Sequence, residues 1–164
     1  MRSIAVSVSI SVLGLTMWAP AQTKISGTVQ CGKPDEEHSL DVGDRPNHSM
    51  MISKGKCTWT KPMKIAGTQT KEDDGTNFDE VDGDRSTGHG YVVGTMDNGD
   101  KMYVSIHSSG TMKEGKMQGA HGTFTLTGGT GKLKGVKGKG TFKGTPAEDG
   151  STSYDVVGVY QTPK

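Results

Sequence analysis

Large apolar side chains are scarce in this chain. Leu, Ile, Val and Phe together number 27 of 164 residues, and only 5% of the chain is aromatic. Such chains stay unfolded when they also carry a large net charge. That second condition is missing, because 19 Lys and Arg nearly balance 18 Asp and Glu. The balance also removes any overall field that would draw nucleic acid or a membrane to the chain. Glycine is abundant, at 25 residues, but it has no three-residue period, which excludes collagen. After residue 21 no apolar run reaches the roughly 20 residues that a spanning helix needs.

Several chemistries are missing as well. There is no Cys-x-x-Cys, no Gly-x-Ser-x-Gly and no His-x-His or helical histidine pair. No cofactor and no metal ligand set is therefore expected. The glycine-rich stretch 126–142 is not a phosphate loop: Leu126 stands where its first glycine belongs, and Leu133 follows Lys132 in place of Ser or Thr.

What is present begins with an address. Met1-Arg2 is followed by the uncharged run Ile4 to Met17 and then Ala19-Pro20-Ala21. That pattern predicts a secretory signal peptide over 1–21, cut between Ala21 and Gln22, and a single domain over 22–164. Thr28-Val29-Gln30 before Cys31 is not a lipobox. The expected location is secreted or periplasmic. Cleavage removes Arg2 and leaves 18 bases against 18 acids. In that compartment Cys31 and Cys57 are expected to form one disulfide, contributing roughly 3–4 kcal/mol by loop-closure entropy.

The remaining chain reads as strands. Thr and Val are frequent, glycine recurs every few residues, and no stretch shows a capped three-four apolar period. Strands are predicted over 24–30, 49–60, 63–71, 77–82, 89–96, 101–112, 117–127, 137–144 and 152–160. Asn98-Gly99 predicts a type I′ hairpin turn, and Asp74-Gly75, Glu114-Gly115 and Asp149-Gly150 read as similar punctuation. Ala120, Gly122, Phe124 and Leu126 alternate with His121, Thr123, Thr125 and Thr127. Met102, Val104 and Ile106 alternate with Tyr103, Ser105 and His107 in the same way. One buried face and one wet face is the antiparallel pattern. Gly122-Thr123-Phe124 and Gly140-Thr141-Phe142 repeat once, as neighbouring strands would. With so thin a core, a closed sheet protects its edges best. The fold class expected is all-β: a single antiparallel β-barrel of about eight strands.

Leu126-Thr-Gly-Gly-Thr-Gly-Lys-Leu-Lys-Gly-Val-Lys-Gly-Lys-Gly-Thr-Phe142 carries a resemblance. A strand ending in Gly-Gly-x-Gly, a short link and a glycine-rich return strand resembles the allene oxide cyclase and dirigent families, over about residues 110–145. The block also resembles one found in exported bacterial proteins. The resemblance implies an eight-stranded antiparallel barrel, assembled as a dimer or trimer. Leu133 stands where those families place an aromatic, and the N-terminal third matches neither, so no catalytic residue carries over.

Candidate site residues follow from residue chemistry. Counted from the Glu114-Gly115 turn, His107 and His121 sit at matched distances and are expected to neighbour across strands. They become acid-base groups if their face lines the barrel, and are idle if it faces water. Trp59, Tyr91 and Tyr103 are expected to share that lining. The acids of 72–74 and 79–84 fail the helix-loop-helix calcium spacing at Arg85 and Tyr91, leaving a looser calcium site or a solvated acidic loop or edge strand. Lys132, Lys134, Lys137, Lys139 and Lys143 either bind an anionic glycan or lipid head group or simply protect a strand. Phe142 alone among them argues against base stacking, and no nucleic-acid partner is expected. The leading expectation is binding of a small apolar ligand inside the barrel. The alternatives are a cyclase- or isomerase-like enzyme steering a reactive apolar intermediate, and a structural protein with a filled interior.

Overall fold

The computed structural model describes residues 22–163. The signal peptide expected over 1–21 lies outside the described residues. Ten strands follow in chain order: β1 (Thr23–Cys31), β2 (Glu36–Asp41), β3 (His48–Lys61), β4 (Lys64–Ile65), β5 (Thr68–Asp82), β6 (Arg85–Met96), β7 (Lys101–Lys113), β8 (Lys116–Gly129), β9 (Lys137–Pro146) and β10 (Thr152–Gln161). A single 3-10 turn, Gly131–Leu133, stands between β8 and β9.

Pairing runs β3-β1-β10-β9-β8-β7-β6-β5, and β5 pairs back onto β3 from His48↔Asp82 to Thr58↔Glu72. Eight antiparallel strands therefore close into a barrel, the fold that the glycine block implied. β2 adds to β3 outside the ring and β4 makes a two-residue hairpin with β5. Neither was anticipated as a strand of its own. The predicted strands 63–71 and 77–82 are one continuous element for most of their length. Asp74-Gly75 is not a turn: it sits mid-strand, where Gly75 pairs Gly55 on one side and Val92 on the other.

The alternation read in β7 and β8 holds. Met102, Val104, Phe124 and Leu126 are buried, while Tyr103, His107, His121, Thr123 and Thr125 are exposed. The repeated Gly-Thr-Phe triplets do mark neighbours, with Gly122↔Phe142, Thr123↔Thr141 and Phe124↔Gly140 in register. Each ring occupies space that a Cβ on the opposing glycine would need. The Asn98-Gly99 turn is not the type I′ turn expected from its sequence. Gly99 alone has positive φ, and Met96 exchanges bonds with Gly99 and Asp100, as in a type I turn closed by a glycine bulge. The type I′ signature of two positive-φ residues appears instead at Ala66-Gly67 and Glu114-Gly115.

One end of the barrel is plugged. The glycine block carries the chain through the 3-10 turn and places Leu133 and Val136, both fully buried, in the core cluster that also holds Ile65, Met63 and Met96. Thr130 Oγ1 accepts from Lys101 N at 2.8 Å, and Asp100 accepts from Lys132 N at 3.0 Å, tying that cap down. Cys31 and Cys57 face each other across β1 and β3 and are disulfide-bonded, as expected.

Candidate functional site in the barrel wall

β5 carries the acids of the chain's middle, and its alternation divides them. A register shift between Thr70 and Glu72 marks a bulge that inserts one extra residue. Beyond it Asp73, Asn77 and Asp79 turn inward, while Glu72, Asp74, Glu80 and Asp82 are exposed outside. The acidic segment is thus barrel wall as far as Asp82, not an edge strand, with Asp84 in the turn to β6. Among the described residues no group of three or more His, Cys, Asp or Glu is placed to hold a metal ion.

The inward polar side chains have room because β6 supplies glycine opposite each of them. The pairs are Asp73↔Gly94, Asn77↔Gly90 and Asp79↔Gly88. A Cβ at Gly94, Gly90 or Gly88 would overlap the side chain of Asp73, Asn77 or Asp79 respectively. The result is a polar stripe along the inner wall, running from the barrel's middle to the end away from the plug. Ser53, Ser86, Ser108 and Gly110 share that end with Met51, Val81 and Met117, so the polar stripe borders apolar side chains there.

Asp73 is the chemically unusual member. It is 8% exposed, and Trp59 Nε1 donates to its Oδ2 at 3.0 Å. Oδ1 is buried and has no partner. On its other flank Asp73 pairs with Cys57 of the disulfide. Burial pushes the carboxyl up to about 6; the indole bond opposes this and the neighbouring charge of Asp74 adds to it. Asp79 is also raised by burial, with the charge of His89 acting against it. The Tyr154 phenol is raised by burial; a hydrogen bond with Thr152 opposes that, and the Asp79 charge reinforces it. Tyr154 packs edge-on against Phe142 at 5.8 Å between ring centres. A group that titrates near pH 6, facing an apolar interior, can take a hydrogen bond from a ligand or exchange a proton with one.

The five residues expected to line a ligand site do not converge. Trp59 faces the interior and meets Asp73. Tyr91, Tyr103, His107 and His121 point outward from the barrel. Strand period two explains this: Val92, Val104, Ile106 and Phe124 of the same strands take the inner positions. His107 is opposite Thr123, and His121 is opposite Ser109, so the two histidines are offset and not paired. His107 instead neighbours His89 at 6.4 Å, and His89 stacks on Phe78 at 5.9 Å, forming an outer ladder across β5, β6 and β7. His121 lines a notch of about 370 Å³ with Lys143 and Gly144, where β8 parts from β9. The sequence presents Asp73 and Asp79 only as part of an acidic segment, a looser calcium site or a solvated loop or edge strand, and does not single out Asn77. The signal that would have found them is the matching period of Gly88, Gly90 and Gly94 on the next strand.

No family model matches the chain, and no curated protein matches it. Among solved structures, that of a pterocarpan synthase dirigent protein is similar to it, with a TM-score of 0.46 and 12% identity over 97% of this chain and 98% of that chain. The barrel described above rests on its own strand pairing.

Proposed function

We propose that the protein acts outside the cytoplasm and binds a small, mostly apolar molecule bearing a hydrogen-bond donor inside the barrel, at the wall formed by Asp73, Asn77 and Asp79. The observation that carries this reading is the unpartnered, buried Oδ1 of Asp73. An orphaned buried acceptor costs about 1–3 kcal/mol, and a ligand donor would recover it. The disulfide is consistent with an oxidising, extracytoplasmic setting. The carboxyl at about 6 also favours a second reading, in which Asp73 moves a proton during isomerisation or cyclisation of the bound molecule.

Trp59 reports on the site directly, since its indole holds the carboxyl. Native mass spectrometry of the purified protein, followed by Trp59 fluorescence titration with phenols and long-chain alcohols, tests the binding reading. The expected result is a bound adduct or a saturable Trp59 response, weakened about tenfold or more in Asp73→Ala. A bare mass together with no response to either probe class would overturn it.

A further inference from the structure

The outer face of β8, β9, β10 and β1 differs in chemistry from the rest of the barrel. Its rows are Thr125, Lys139, Val159 and Lys24; then Thr123, Thr141, Val157 and Ser26; then His121, Lys143, Asp155 and Thr28. The first two rows line a shallow groove of about 740 Å³, and the third row, with Lys143, borders it. Lys24, Lys139 and Lys143 are exposed and belong to no ion pair among the described residues. Asp155 is the one carboxylate on this face among the described residues, and it accepts from Thr28 Oγ1 at 2.9 Å.

In the closed ring β9 lies four strands from β5, on the opposite side. The near-zero net charge of the chain therefore conceals a division, with basic residues on β9 and acidic residues on β5. On β5, Glu80 and Asp82 are already engaged by His48 and Arg45. The lysines have no such internal use.

We propose that this groove binds an acidic polysaccharide. Lys24 and Lys139 stand two strands apart, about 10 Å, and Lys139 and Lys143 are about 13 Å apart along one strand. Those spacings suit separated carboxylates or sulfates on an extended chain. The hydroxyls of Thr123, Thr125, Thr141 and Ser26 lie between the charges and can bond sugar hydroxyls. Nucleic acid fits less well, because the face carries no tyrosine, phenylalanine or tryptophan on which bases could stack. A membrane fits less well because Val157 is its one strongly exposed apolar side chain.

The test is retention and calorimetric binding of the purified protein on polygalacturonate and heparin at rising salt, with neutral dextran, oligo(dT) and phosphatidylglycerol vesicles alongside. The expected result is salt-sensitive binding to both acidic polymers and none to dextran. The triple variant Lys24→Gln, Lys139→Gln, Lys143→Gln should weaken it about tenfold or more. Lys54→Gln with Lys56→Gln, exposed on the outer face of β3, should leave it unchanged. The proposal fails if the parent does not bind, if the triple variant binds like the parent, or if oligo(dT) or vesicles bind more tightly than polygalacturonate. It also fails if sedimentation shows that the same lysines instead drive salt-sensitive self-association. None of these outcomes depends on the barrel interior, so this face and the Asp73 site are tested separately.

Discussion

Trp59 donates its indole N–H to Oδ2 of Asp73 and leaves Oδ1 of the same carboxyl without a partner. The carboxyl is paired well enough to be held in place and too poorly to ionise at its ordinary pH. Its folded pKa, about 6, stands above the ordinary aspartate value of 3.8, so the folded state holds the proton more tightly. The contribution to stability is complete below pH ~3.8 and is lost as pH rises to about 6. Asp73→Asn keeps an acceptor for Trp59 and cannot ionise. It should be more stable than the parent above pH 6 by roughly 2–3 kcal/mol, with a flatter profile between pH 4 and 6, as urea titrations across that range would show.

A second linkage lies at the hairpin ends. His48 is buried, with Nδ1 on Asp44 and Nε2 on Glu80, so both nitrogens donate only when the ring is protonated. The hydrogen bond with Asp44, then that with Glu80, raises its pKa. This stabilisation is present below the ordinary histidine pKa and is lost as pH rises through the elevated folded value. Thermal melts from pH 5 to pH 9 should show a decline above neutrality in the parent that His48→Gln lacks. An unchanged slope in the variant would count against this linkage.

Gly94 is required by its neighbours and not by its backbone angles. A Cβ there meets Asp73 Oδ1 and the Met102 side chain, with no backbone atom among its nearest contacts. Gly94→Ala should cost roughly 1–3 kcal/mol. Combined with Asp73→Ala, part of that cost should return, giving a coupling of about 0.5 kcal/mol or more in a double-mutant cycle. Strict additivity would mean that the two residues do not compete for space.

The disulfide joins residues 26 apart. Thiol titration of the unreduced protein should read near zero. Replacing both cysteines by serine should lower stability by roughly 2–4 kcal/mol, measured by urea unfolding.

Much of the barrel was legible because β-strand chemistry is local. Phe124 and Leu126 against Thr123 and Thr125, or Val104 against Tyr103, state a strand and its buried face within a few residues. The Gly-Thr-Phe repeat foretold two neighbouring strands because each Phe needs a glycine across from it. β5 was harder to read. Its Asp74-Gly75 looks like a turn, and only the pairing of Gly75 with Gly55 and Val92 keeps it in the sheet.

The candidate site was illegible for a related reason. Hydrophobicity argues that Phe78, Tyr91 and Tyr103 belong inside and Asp73 and Asp79 outside, and the structure has the reverse. The bulge after Thr70 shifts β5 by one residue, and a shift of one exchanges the two faces of a strand. Composition, alternation and the cysteine pair determined that this chain forms antiparallel strands, closes its edges and carries one disulfide. Only tertiary structure decided which face of β5 and β6 looks inward. There β6 places glycines at inner positions 88, 90 and 94, and the polar side chains of β5 take the space those glycines leave.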